Sequence, residues 1–600
     1  MPVAFLLLFA VYCSQKLFRS HFESSATEPR YVFERDVPAC RGAIYDAAAG
    51  ASPMVKSVPC WEYRLDPVAL TNATVRPRGE KLPRTRQAIC RTIANALSLD
   101  YAKVLAMSEN PSKRYQYLAQ STDAAAHAIL SDRRLVAGVV IEDKQVRQYL
   151  HGKRLCHVIG SMNKEGVGSA GLELKYDREL SGVPGCIRGC RDARGAELYD
   201  KRIETVAPIP GADIHLTVDR NLQYEAETAL ADGIREFGAG SGWCVILDVK
   251  TADVLAMVSY PDFNPLFFGR AKDAAKVNRA TSLTYEPGSV MKVITAAAGI
   301  DSGFVKPDSL YTTNRDDDRY YRLPGDGSHV WEPRMSVKDA IVHSSNIVIG
   351  KLGFDLGPKT LWTYMKAFGF GSKTGIELPG EEMGLLPFWQ KWDKVKWSRA
   401  PIGQGVAVTA MQLASAYQAI ANDGVRMKPH IVQSIVQADG HEIYTKQPEV
   451  ASRPISRGTA RELRRMMLGV ASPDGTARRA AIKGYSVAGK TGTAQKVVNG
   501  RYSDSLYRAT FCGIVPSGAV KRIPADPDVA EPRIVVLVTL DFDQRTKFHQ
   551  GGNSAAPIFR RVATAALRYL HVEPDRPDEL MDLDDADPLD KIMESRERTL

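Results

Sequence analysis

Three short stretches hold side chains whose types and spacing suit nucleophilic chemistry. The first is Glu286-Pro287-Gly288-Ser289-Val290-Met291-Lys292, followed by the apolar run Val293–Ala298. A serine hydroxyl is a weak nucleophile until a base within hydrogen-bond reach takes its proton. Pro287 and Gly288 mark a turn and the alanine-rich run after them reads as a buried helix, so Ser289 sits in a first helical turn with Lys292 on the same face. That lysine can serve as the base if burial or a neighbouring cation lowers its pKa. The second stretch, Ala340–Gly350, places Ser344 and Asn346 two apart between apolar residues, where polar side chains either cap locally or face a cleft. The third is Val487-Ala488-Gly489-Lys490-Thr491-Gly492-Thr493-Ala494, at the end of a strand, where Gly492 lets a substrate backbone approach the strand edge. Each alone has an ordinary reading: solvated helix surface, a helix cap and a turn.

The surrounding text supplies elements to hold them. Ile214–Asp219 reads as a strand whose Asp219 caps a helix over Leu222–Phe237. Trp243–Asp248 and Val254–Ser259 read as an antiparallel hairpin. Helical and loop text runs from Ser289 to about Asp423. Strands return at Tyr485–Lys490, Ala509–Val515 and Arg533–Asp541, and a helix over Ala556–Leu570 closes the domain. Strands at both ends with helices between predict an α+β domain on one antiparallel sheet. Upstream, Glu34–Leu70 alternates short strands and turns, Thr85–Leu130 is helical, and Arg134–Ile141 is a β-branched strand. The glycines from Gly160 to Gly171 read as turns, since no strand–Gly-x-Gly-x-x-Gly–helix unit is present.

The chain of 600 residues is long enough for two or more domains. Its formal charge of +10 comes from dispersed residues, with no basic arm or zinc-finger spacing, which argues against a nucleic-acid partner. Pro2–Cys13 is nearly continuous apolar sequence, shorter than the roughly 20 residues of a spanning helix. It is either a buried helix or the remainder of a signal-anchor whose true start lies upstream, and the second reading is preferred. Nine cysteines are too few for a disulfide scaffold and none has zinc spacing; Cys186 and Cys190, or Cys40 and Cys60 beside a hairpin, leave both bridges and free thiols open. From Glu573 onward there are eleven acidic residues against four basic ones and no aromatics, the composition of a disordered solvating tail.

In combination and in this order, Ser-x-x-Lys, Ser-x-Asn and Lys-Thr-Gly resemble the active-site signature of penicillin-binding proteins and serine β-lactamases. The longer stretches Glu286–Ser289, Ile402–Thr409 and Gly484–Lys496 resemble the transpeptidase domain of class B penicillin-binding proteins. Arg41–Asp46, His157–Gly160, Gly171–Glu173 and Leu216–Asp219 resemble that class's non-catalytic pedestal. The resemblance implies a five-stranded antiparallel sheet with helices on both faces, set on an elongated N-terminal domain. The domains expected are an anchor over 1–20, a pedestal over 21–215, the transpeptidase over 216–572 and the tail over 573–600.

The resemblance further implies a peptidoglycan D,D-transpeptidase acting on stem peptides that end in D-alanyl-D-alanine, with β-lactams binding covalently. Ser289 is the expected nucleophile, Lys292 the general base and Ser344 the proton relay. Asn346 orients the donor peptide and Lys292, and the cation at Lys490 helps keep Lys292 neutral. Lys490 and Thr491 or Thr493 hold the terminal carboxylate, and Gly492 lets the substrate backbone approach. No metal or organic cofactor is implied. The class implies a single-pass anchor in the cytoplasmic membrane, a catalytic domain outside the cytoplasm, and a SEDS-type glycan polymerase and divisome membrane proteins as partners. Gly489–Lys496 with Gly551–Phe559 looks more like septal than elongation enzymes. A β-lactamase requires a deacylating glutamate, and Glu377-Leu378-Pro379-Gly380-Glu381 lacks the Glu-x-x-Leu-Asn pattern. Arg147-Gln148-Tyr149 looks like the class B Arg-x-Tyr-Pro segment, with Leu150 in place of proline, which argues against a class A glycosyltransferase domain despite Glu142-Asp143. A β-lactam sensor and a D,D-carboxypeptidase are the other rivals.

Overall fold

The computed structural model describes residues 32–48, 52–72, 84–191, 197–326, 331–519 and 531–577. The expected anchor and all but the first residues of the expected tail lie outside them. Among the described residues no helix is long and apolar enough to cross a membrane, and eight cysteines are free thiols.

The chain divides into two compact units. The larger comprises residues 42–57, 147–180 and 212–600. Its centre is a five-stranded, wholly antiparallel sheet of β1 (Ser241–Asp248), β2 (Val254–Tyr260), β3 (Ala488–Val498), β4 (Arg501–Val515) and β5 (Ile534–Asp541), ordered β2-β1-β5-β4-β3. Every residue of β1 and β5 is buried. Two-sided burial removes the alternation of a half-exposed strand, because helices cover both faces. On one face lie α1 (Arg220–Phe237) and α7 (Ala555–Tyr569); on the other lie α5 (Ala410–Ala421) and α6 (Arg457–Leu468). Asp219 caps α1 by accepting from the Asn221 and Leu222 N–H groups, and Gly238 ends it in the left-handed region. Leu222, Ala226, Leu230, Ile234 and Phe237 form its buried stripe. All twelve residues of α5 are buried behind a reciprocal cap between Thr409 and Gln412.

Three pedestal-like motifs meet inside this same unit. Arg147 Nε donates to Glu173 at 2.7 Å, with the two side chains 5% and 0% exposed. Its Nη1 donates to Gly42 O at 2.7 Å and to Ser57 Oγ at 3.2 Å. Separate parts of the chain are thus held by one buried, hydrogen-bonded ion pair.

The smaller unit comprises residues 1–41, 58–146 and 181–211. It contains a three-stranded antiparallel sheet of Val32–Val37, Gly185–Arg191 and Glu197–Val206. A separate core there is built on Tyr63, Leu65, Ile89, Ile93, Val104 and Leu118.

Local readings shift in five places. Thr85–Leu130 is three short helices interrupted by the strand Gln116–Ser121. The strand expected over Arg134–Ile141 begins only at Val139, because Asp132 accepts from the Arg134 N–H and turns the preceding residues. Tyr485–Val487 is not strand: the Tyr485 N–H returns to Ile482, and β3 starts at Ala488, so Lys490-Thr491-Gly492 begins a strand instead of ending one. β4 starts eight residues early, paired to β3 through a two-residue turn with Asn499 and Gly500 at φ 52° and 75°. This is the left-handed pair that closes a hairpin, and the Asn-Gly sequence signalled it. The ordered chain also runs past residue 572. Asp575 is buried and accepts from the Ser486 N–H at 2.7 Å and from the Ser486 hydroxyl, so its carboxylate belongs to the domain and not to a solvating tail.

Candidate active site

Ser289 lies in the 3-10 turn Gly288–Met291, which runs directly into α2 (Lys292–Asp301). In a 3-10 turn residues i and i+3 eclipse, which stacks Lys292 behind Ser289. Ser289 is half-buried, while Lys292 is fully buried. The turn packs against β3 and against the segment around Gly403. A side chain at Gly403 (φ 80°) would meet the backbone of Gly288 at 2.3–2.9 Å. At Gly492 a side chain would meet Pro287 O at 3.1 Å and Val290 at 3.3 Å. The space expected for a substrate backbone at Gly492 is therefore filled on that side by the turn carrying Ser289, and the glycine serves packing. Glu286 extends the clamp: its Oε1 accepts from the Gly405 N–H at 2.8 Å and the Tyr502 hydroxyl at 3.2 Å, and burial raises its carboxyl pKa.

Ser344 sits between α3 (Val337–Val342) and α4 (Asn346–Leu356) with φ 62°, in the left-handed region. That conformation is uncommon for a residue with a side chain and marks strain worth a functional question. It turns both oxygens of Ser344 to one partner: Lys292 Nζ donates to the Ser344 carbonyl and to its Oγ at 3.2 Å. Burial lowers the Lys292 pKa to about 7, and Asp326 acts against this by raising it. Lys490, fully buried at the start of β3, is pushed well below its ordinary value by burial and secondly by Lys292. Desolvation is the largest cause at both lysines, and the repulsion between the two adds to it at Lys490.

The remaining residues are placed as follows. Thr491 is buried and its hydroxyl meets Thr476 at 3.1 Å, while Lys490 Nζ reaches the Thr491 hydroxyl at 3.3 Å. Thr493 is exposed on β3, the free edge of the sheet, and its Oγ1 accepts from the Gly551 N–H at 3.3 Å. Asn346 Nδ2 donates to Gly325 O at 2.7 Å, a loop contact in place of the expected one to Lys292. Asp326, which nothing in the sequence signalled, accepts from the Ile347 N–H at 3.2 Å, the Ser345 hydroxyl at 2.6 Å and the Trp331 indole at 2.9 Å.

The glutamates weighed for a deacylating role are engaged elsewhere. Glu377 accepts from His430 Nδ1 at 2.6 Å and the Ile431 N–H at 2.9 Å; Glu381 accepts from the Thr374 and Gly375 N–H groups at 2.7 and 3.2 Å. The arrangement can thus offer a hydroxyl, a buried amine of near-neutral pKa, a second hydroxyl on that amine and a strand edge, the parts of an acyl transfer.

Comparison with known proteins bears on the same residues. The family profile described as penicillin binding protein transpeptidase domain matches residues 242–564, and that of the penicillin-binding protein dimerisation domain matches 36–216. The chain is 32% identical to penicillin-binding protein PbpB of Mycolicibacterium smegmatis over 86% of its own length and 78% of the relative's. It is also 32% identical to the probable peptidoglycan D,D-transpeptidase PenA of Neisseria meningitidis, over 73% and 71%. Among solved structures, penicillin binding protein 3 of Mycobacterium tuberculosis complexed with aztreonam superposes with a TM-score of 0.64 at 27% identity, covering 90% of this chain and 98% of that one.

Proposed function

The chain belongs to the penicillin-binding protein transpeptidase family, and on that premise we propose that it is a serine D,D-transpeptidase that cross-links peptidoglycan stem peptides. The observation that carries the mechanism is Lys292: an amine buried one turn behind Ser289, held on Ser344, with a pKa near 7. Ser289 Oγ attacks the carbonyl carbon of the penultimate D-alanine as neutral Lys292 takes its proton. The C–N bond then breaks, and the proton passes through Ser344 to the leaving D-alanine nitrogen. The amine of a second stem attacks the acyl-enzyme, giving its proton back along the same path, and Ser289 is regenerated with an amide cross-link formed. The backbone N–H groups of Ser289 and Thr493 stabilise the oxyanion; losing one such donor costs about 10²–10³ in rate. Lys490, Thr491 and Thr493 form the edge that takes the terminal carboxylate.

A β-lactam mimics the donor and acylates Ser289 without efficient release, since both Glu377 and Glu381 are occupied as acceptors. The test is covalent labelling with a fluorescent penicillin, read on denaturing gels and by intact mass. Ser289→Ala loses the label; labelling equal to wild type removes the assignment.

Residues 216–572, extended to Asp575 by its contact with Ser486, are proposed as the transpeptidase domain and 21–215 as the pedestal. An N-terminal membrane anchor rests on the apolar run Pro2–Cys13; a catalytic domain outside the cytoplasm and a SEDS-type polymerase with divisome partners rest on the class resemblance; a septal role rests on Gly489–Lys496 and Gly551–Phe559. Depletion microscopy tests it: long unseptated cells support division, and rounded cells support the elongation reading.

A further inference from the structure

Asp326 lies outside all three motifs but touches the second of them on several sides. Its carboxylate accepts from the backbone N–H groups of Asn346 and Ile347, the first turn of α4, and from the Ser345 hydroxyl at 2.6 Å. The Trp331 indole donates to it at 2.9 Å. A carboxylate on the orphan N–H groups of a helix N-terminus is doubly favoured, by hydrogen bonding and by the helix dipole. Its neighbour Gly325 accepts from Asn346 Nδ2 at 2.7 Å, so one dipeptide holds both the backbone and the side chain of that residue. Ser345, in turn, accepts from the Val348 N–H, closing a second cap on the same helix. Ser344 lies in the short link between α3 and the capped helix end, and its left-handed backbone presents both oxygens to Lys292. Nothing local favours that conformation for serine, so the surroundings must impose it.

We propose that Asp326 is a positioning residue for acyl transfer: by clamping the start of α4 it holds Ser344 strained onto Lys292 and Asn346 in place. This rests on the transpeptidase reading above. A structural cap alone would explain stability; the clamp adds an electrostatic reach to the general base. The charged groups bearing on Lys292 are Asp326 from this loop and Lys490 from β3. His343, at the end of α3, is the titratable neighbour of Trp331, with ring centroids 5.4 Å apart. Of these, only Asp326 favours the charged lysine.

The test compares acylation by a fluorescent penicillin across pH in wild type, Ser289→Ala and Asp326→Asn, with thermal melting alongside. Asp326→Asn keeps the shape but loses the charge and the acceptor for Ser345 or Trp331. Acylation is expected to slow by about tenfold or more, the effect of losing charged hydrogen bonds, and its pH midpoint is expected to move to lower pH. A wild-type rate and midpoint overturn the proposal. So does a lower melting temperature with an unmoved midpoint, which would make Asp326 a cap and nothing more. Should Asp326→Asn not fold, Trp331→Phe carries the test by removing one donor: acylation slower by about threefold, one neutral hydrogen bond, supports the role, and a wild-type rate overturns it. Failure of wild type itself to label defeats the transpeptidase reading, and is distinguishable from either result.

Discussion

Lys292 Nζ donates to both oxygens of a single residue, Ser344, whose φ of 62° is what brings them round together. The proposed general base and proton relay are therefore coupled through one strained backbone position. Glycine adopts that conformation without penalty. Ser344→Gly is expected to melt at or above the wild-type temperature while cross-linking falls by about 10²–10⁴, the worth of a positioned acid–base group. Paired melting and D-alanine-release measurements separate the two effects.

Acylation should rise with pH around a midpoint near 7, where Lys292 becomes neutral. The same group links stability to pH. Between about 7 and its ordinary value of 10.5 the folded lysine has lost a proton that the unfolded chain still holds, so stability rises with pH across that window and is lost as pH falls through the folded value. Lys292→Met removes this slope. The melting difference between wild type and Lys292→Met should move in favour of wild type as pH is raised from neutral, and a constant difference contradicts it.

Gly403 lies where the nucleophile turn passes at backbone distance. Gly403→Ala is expected to cost about 1–3 kcal/mol for overpacking and about 1–2 kcal/mol for a left-handed alanine. Because the displaced atoms belong to Gly288, beside Ser289, penicillin labelling should fall along with the melting temperature. Gly440, also left-handed but with open space around it, is the control: Gly440→Ala should leave labelling intact.

Arg147→Ala removes the 2.7 Å ion-pair partner of the fully buried Glu173. Breaking a buried pair from one side costs about 3–5 kcal/mol. Chemical denaturation should show that loss, and Arg147→Met combined with Glu173→Leu should recover much of it.

Truncation tests where the domain stops. A chain ending at residue 572 loses Asp575, leaving the buried Ser486 N–H without its acceptor, a cost of about 1–3 kcal/mol. A chain ending at residue 577 keeps Asp575 and its contacts and should melt above the one ending at 572. Equal melting of the two truncations contradicts the assignment.

Much of the site was legible in the chain because its parts are local. Ser289 and Lys292 are three apart just after a Pro-Gly turn, and Asp219 precedes an amphipathic run; each depends on backbone geometry over a few residues. Other features were not legible because they depend on partners far away in sequence. Asp326 sits in a loop without periodicity, and only folding lays it on α4. Asp575 reads as one acid among many until its burial against Ser486 is seen. Gly492 looks like room for a ligand until the turn carrying Ser289 is packed against it.

The sequence by itself determined which side chains are proposed for the chemistry, since the order and spacing of Ser289, Lys292, Ser344, Asn346 and Lys490 are properties of the chain. Only the tertiary structure decided that Lys292 is near neutrality, that burial is the main cause, and that Ser344 meets it with two oxygens. Proton affinity follows from burial and from charges that folding brings near, and neither is written in local spacing.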